Sequence, residues 1–230
     1  MIVLCPSHNG DSGLARQVEK TARLCARERR HQVIPVFSQP DGIVKDFDFC
    51  VRPKAGPMTC NHLISGMIWR LPLNSLFLWL EPDSVLMRES ALDELEDGFN
   101  AELKKKPELC LFGHDKRDQF QRLKHIAGPA VYRITPRLRD VFGVISHKRP
   151  HDVEISKYLI DTEFSAHTDL IRCVWHFEIE PYLAHYNKDV ELLRRSHPEA
   201  AMIHGIRDAS LLNLVWGDHE IFKETESRAA

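Results

Sequence analysis

Leu76-Phe-Leu-Trp-Leu-Glu81-Pro82-Asp83 decides the reading of this sequence. Five apolar residues in a row, free of charge and too few for a buried helix, read as a strand covered on both faces. The run stops at two carboxylates one residue apart, with a proline between them that stiffens the turn. In open α/β sheets, ligands bind at the carboxyl ends of the strands. Two hard oxygen ligands delivered there suit Mg²⁺ or Mn²⁺ held together with substrate phosphates. The plainer alternative is a strand end with two solvated acids.

Outward from this strand, apolar runs alternate with amphipathic stretches, which predicts an α/β layered fold. Ile2–Cys5 reads as a buried first strand closed by Pro6, followed by a loop of turn residues to Gly13. From Leu14, the residues Leu14, Val18, Ala22 and Cys25 share one helical face. Val33–Phe37 and Phe47–Val51 read as strands, and Thr59 to Arg70 as a helix that Pro72 stops. Ser90 reads as the N-cap of a helix carrying Leu92, Leu95, Phe99 and Leu103 on one side. Later strands are expected at Leu109–Phe112, Ala130–Ile134, Leu170–Phe177 and Ala200–Ile203, and a last helix at Ser210–Trp216.

Composition narrows the classes. The 230 residues are 43% hydrophobic and 28% charged, values of a folded globular chain rather than a disordered one. The 31 Lys and Arg against 33 Asp and Glu leave a formal net charge of −2, which disfavours charge-driven binding to DNA or membrane. No run approaches the roughly 18–20 apolar residues of a membrane span. The six cysteines are scattered with no CxxC pair, so they read as reduced thiols of a cytoplasmic protein. P-loop, GxGxxG, HExxH and GxSxG signatures are missing from the sequence.

A second short apolar run, Ala201-Met-Ile, ends in His204-Gly205-Ile-Arg207. His204 offers a nitrogen ligand, Gly205 lets backbone approach a phosphate, and Arg207 is placed to pair with one. Arg52 and Lys54 lie in a Pro/Gly loop and read as cations for a nucleotide or as solvated charges. Asp152 and Glu154 stand on one side if that segment is extended and are candidate bases for an acceptor hydroxyl, or else the acidic first turn of a helix. The stretch 102–124 carries Lys104, Lys105, Lys106, Lys116, Arg117, Arg122 and Lys124 against four acids, and with Arg137 and Arg139 it reads as a solvated basic face or as a groove for a polyanion.

Taken together, the acid-x-Asp strand end and the late His-Gly-x-Arg resemble the GT-A-type nucleotide-sugar glycosyltransferases, among them small stand-alone phage-type enzymes that decorate DNA. The resemblance implies one GT-A-like, Rossmann-like domain over 1–230, with a central mostly parallel sheet flanked by helices. Residues 1–90 would form its nucleotide half and 91–230 its acceptor half. It implies a nucleotide-sugar donor and a divalent ion, Mn²⁺ or Mg²⁺, on Glu81, Asp83 and His204. It places Pro6, His8, Asn9, Arg52, Lys54, Asn61, Gly205 and Arg207 near the donor, and leaves the acceptor open, DNA included. The first acid of the motif is Glu where the family usually has Asp. Two rivals remain: a sugar-phosphate nucleotidyltransferase, against which the first loop lacks Lys and Arg, and a catalytically inactive nucleotide-sugar-binding module.

Overall fold

The structure is a computed structural model that describes residues 1–7, 13–27, 31–37, 43–44, 49–50, 57–117, 124–146, 148–173, 194–205 and 209–219. Of the residues expected near the donor, His8, Asn9, Arg52, Lys54 and Arg207 lie outside the described residues.

A six-stranded sheet forms the centre. Its strands are β1 (Ile2–Ser7), β2 (Gln32–Phe37), β5 (Leu76–Trp79), β7 (Leu111–Gly113), β10 (Val131–Arg133) and β11 (Ser165–His167), in the order β11-β7-β10-β5-β1-β2. Only β10 runs against its neighbours. The other five strands therefore point the same way and place their carboxyl ends along one edge.

Alternation along β5 feeds both faces of this sheet. Leu78 and Leu80 enter a core with α1 (Gly13–Cys25), α3 (Ala91–Lys105) and α6 (Ser210–Trp216). Phe77 and Trp79 enter the other core, with α2 (Pro57–Arg70), α4 (Pro136–Val144) and α5 (His151–Leu159). Burial of β5 on both faces is why its sequence is a continuous apolar run.

A second sheet, β12-β13-β6, joins Ile171–Cys173, Met202–His204 and Ser84–Leu86. Two short hairpins complete the described strands: β3 (Ile43–Val44) with β4 (Phe49–Cys50), and β8 (Asp115–Arg117) with β9 (Lys124–Ile126).

Two local expectations change, and one pair of alternatives is decided. Pro6 does not end β1; the strand runs to Ser7, with Pro6 opposite Val36. Its missing N–H is tolerated because pairing with β5 has already stopped at Leu4 opposite Trp79. Ser90 precedes α3, but its side chain makes no cap: the hydroxyl bonds Glu94 Oε1 at 2.6 Å. Of the two readings of the segment holding Asp152 and Glu154, the structure shows the helix, with both acids in its first turn, so residues two apart point to different sides.

Candidate active site

The site begins at the end of β5. Ser84 N–H donates to Glu81 O at 2.9 Å, closing a four-residue turn with Pro82 at its second position, where the ring's fixed φ suits the bend. The turn hands the chain to β6, and β6 pairs antiparallel with β13 so that Ser84 stands opposite His204. Gly205 N–H then donates to Asp83 O at 3.0 Å. Gly205 holds φ 108°, a conformation that costs an L side chain about 1–2 kcal/mol, which is why the chain turns here on glycine.

This pairing brings His204 to Glu81 and Asp83, a pair about 120 positions earlier in the chain. His204 Nε2 lies 3.1 Å from Asp83 Oδ1 and 3.3 Å from Glu81 Oε2. The ligand atoms of all three lie within 4.8 Å of one another. Burial pushes the His204 pKa down, but hydrogen bonds to Asp83, Cys173 and Glu81 outweigh it and hold the imidazole well above its ordinary value. Two carboxylate oxygens and an imidazole nitrogen, converging from two strand ends and half-buried, are a donor set that fits Mn²⁺ or Mg²⁺.

Beside the triad is a cavity of about 220 Å³, walled by Cys60 and Asn61 of α2, Glu81, Gly128, Pro129, Pro150, His151, Asp152 and His204. Asp152 faces this space, with its Oδ2 3.7 Å from His125 Nε2. Glu154 does not line it. Its carboxylate takes the Lys157 amine at 2.6 Å and the Ser146 hydroxyl at 3.3 Å, and the Lys157 bond holds its pKa below the ordinary value. Of the two acids, only Asp152 lines the cavity.

Asn61 lines the cavity and also binds backbone on its wall. Its Nδ2 donates to Arg149 O at 2.6 Å and its Oδ1 accepts from His151 N–H at 2.8 Å. One buried amide thus grips the chain on both sides of Pro150 and sets the start of α5, which carries Asp152. Pro6 lies buried on β1 next to β5, near the same sheet edge.

His151, Cys60 and Gly128 were not singled out from sequence. His151 is buried, and desolvation pulls its pKa down against the charges of Asp152 and Glu81. The Cys60 thiol is pushed up to about 12 by burial and then by the charges of Glu81 and Asp83, so it stays protonated. Single His, Cys and Gly residues carry no spacing signal that could have marked them.

A second cluster, His114, His167 and Asp169, has ligand-type side chains but a poorer fit to a cation. Asp115 N–H donates to His167 Nδ1, so in the neutral ring Nε2 carries the proton and faces Asp169 Oδ1 at 3.3 Å. The Arg172 charge also bears on His114, whose pKa falls to about 4, first through burial and then through that cation.

No protein-family model matches the sequence, and no curated protein matches it. Solved structures do resemble the fold. One is the galactosyltransferase LgtC in complex with donor and acceptor sugar analogs, at TM-score 0.52 and 12% identity, covering 99% of this chain and 96% of that one. Another is a glycosyltransferase involved in glycosylation of the major capsid of PBCV-1, at TM-score 0.54 and 10% identity, covering 93% and 96%. An active-site mutant of LgtC matches at TM-score 0.50 and 11% identity, over 99% and 96%. The chain has the GT-A fold of these glycosyltransferases.

Proposed function

We propose that the protein moves a sugar from a nucleotide-sugar donor to an acceptor hydroxyl, with Glu81, Asp83 and His204 holding Mn²⁺ or Mg²⁺ at the donor's diphosphate. The observation that carries this reading is the placement of that triad at the carboxyl edge of a GT-A sheet, opening on a cavity that Asp152 faces. When bound, the ion supplies positive charge against the diphosphate as it leaves. The chain's own groups do the rest. His151 and the Cys60 thiol, both uncharged, wall the cavity and keep its charge concentrated on the carboxylates. For an inverting transfer, the bond from the anomeric carbon to the diphosphate oxygen breaks and the bond to the acceptor oxygen forms. Asp152 takes the hydroxyl proton. Asn61 acts through α5, by holding Asp152 in place. Pro6, His8, Asn9, Arg52, Lys54 and Arg207 stay assigned to the donor, and Gly205 shapes the turn that brings His204 in. Residues 1–90 and 91–230 then work as halves of one domain, since the triad draws on both.

A saccharide acceptor has more support than DNA. Lys104 and Lys105 end α3 and Lys106 follows it, just before β7, which runs in the same direction as β5, so they lie at the amino edge, opposite the triad. Lys105 pairs with Glu102, Lys106 donates to Ser165 O, and Lys124 pairs with Asp115 and Asp161. Arg139 donates to Leu71 O. Lys105, Lys106, Lys124 and Arg139 are thus engaged within the fold. Among the described residues, no helix is long and apolar enough to cross a membrane. The buried free thiols Cys5, Cys25, Cys110 and Cys173 support a reducing, cytoplasmic setting.

The test is a donor screen with Mn²⁺: a panel of nucleotide sugars, with saccharides or hydroxymethylated DNA as acceptor, reading released nucleoside diphosphate. Release from one donor, raised by a saccharide, is expected. Binding of Mn²⁺ and nucleoside diphosphate without turnover of any donor would leave an inactive binding module. Transfer to DNA alone would overturn the acceptor assignment.

A further inference from the structure

Glutamate at position 81 has one more rotatable bond than aspartate, so a carboxylate there needs something to hold it still. Period-two alternation puts Trp79 and Glu81 on the same side of the chain. The Trp79 ring is fully buried, in the core shared with α2 and α5. Its indole N–H donates to Glu81 Oε1 at 3.2 Å, while Glu81 Oε2 stands 3.3 Å from His204 Nε2.

Gly128 closes the other side. A Cβ there would stand 3.0 Å from Glu81 Oε1 and 3.3 Å from His151 Cε1, tighter than ordinary contact, so a side chain at 128 would press the carboxylate out of its place. Gly128 is itself tied down. Its carbonyl accepts the Tyr132 hydroxyl at 2.8 Å, and Tyr132 stacks on Phe77 with ring centroids 5.0 Å apart.

We propose that Trp79 and Gly128 are positioning residues that fix the Glu81 carboxylate between them, so that Oε1 is engaged by the indole and Oε2 alone faces Asp83 and His204. Glu81 would then offer the divalent ion one oxygen, Oε2, with the longer side chain held still by the indole. This rests on the metal reading above. Neither residue touches donor or acceptor; each acts through Glu81.

The experiment reads Mn²⁺ binding to the full chain without any sugar donor, by the electron paramagnetic resonance signal of free Mn²⁺. Trp79→Phe, which removes the N–H, and Gly128→Ala, which crowds Oε1, are each expected to weaken Mn²⁺ binding by about tenfold, the usual cost of losing a group that orients a metal ligand. In a Glu81→Ala background, where Asp83 and His204 remain, both substitutions are expected to change nothing further. A merely structural role would lower affinity in both backgrounds, and that result would overturn the proposal. So would parent-like binding in both single variants. Because Trp79 is buried, Gly128→Ala decides the matter if Trp79→Phe does not fold. A parent protein that binds no Mn²⁺ would overturn the metal reading itself, so the two failures are distinct.

Discussion

Asn61→Ala tests whether α5 is held for the sake of the site. The substitution removes two hydrogen bonds at once, to Arg149 O at 2.6 Å and from His151 N–H at 2.8 Å. Asn61 itself is 1% exposed. A net hydrogen bond contributes about 1 kcal/mol, and orphaning a buried partner raises the loss to about 1–3 kcal/mol each. The pair therefore predicts about 2–6 kcal/mol, toward the low end because the adjoining cavity has room for water at the freed groups. For a chain of this length, about 2–3 kcal/mol lowers Tm by roughly 4–12 °C. With α5 loosened, Asp152 loses its fixed place while the triad on β5 and β13 keeps its own. The expected pattern is a lower Tm, near-parent Mn²⁺ affinity, and transfer reduced mainly in kcat. Thermal melts, Mn²⁺ titration and steady-state kinetics read the three quantities. A variant that melts like the parent, or one that loses Mn²⁺ binding in step with transfer, refutes the argument that Asn61 acts through α5.

Asp83→Ala is expected to lose Mn²⁺ binding with the fold intact, because Asp83 sits on the turn beyond the apolar strand; circular dichroism and Mn²⁺ titration check both parts. The raised His204 pKa predicts that Mn²⁺ affinity climbs with pH, since the ion needs the nitrogen lone pair, and that the stabilising His204–carboxylate contact of the metal-free protein is full below pH about 6.5 and lost as pH rises through the raised value. Titration across pH, and the Tm difference between parent and His204→Gln, read these two effects. His114 behaves the opposite way. With its pKa lowered to about 4, stability falls as pH drops from about 6.5 toward 4, and His114→Gln is expected to flatten that part of an acid-denaturation curve. Gly205→Ala forces a side chain to φ 108° and is expected to cost about 1–2 kcal/mol in denaturant unfolding.

The sequence alone determined the parts of this protein that local physics controls. The run Leu76–Leu80 announced a strand buried on both faces, because an apolar run with no polar face has no other stable place in an α/β layer. The helix Ser210–Trp216 appears with the expected bounds, and Leu92, Leu95, Phe99 and Leu103 turn one face of α3 to the core, because 3.6-residue spacing is written in the chain. The motif Glu81-Pro82-Asp83 was legible for the same reason: proline fixes the turn whatever surrounds it. The helix α4 was missed although its start, Thr135 capping Leu138 N–H ahead of Pro136, is a local signal.

What only the tertiary structure decided is how distant residues meet. His204 joins Glu81 and Asp83 because β13 pairs with β6, and the side-to-side alternation of a strand says nothing about its partner. Asp152 and Glu154 parted because packing against β9, α2 and α4 made their segment a helix, turning one acid to the cavity and the other to Lys157. Asn61 became a clasp through backbone groups some 90 positions away. Position along the chain fixes residue type and local period; closeness between residues so far apart in sequence is settled by which faces the folded chain buries together.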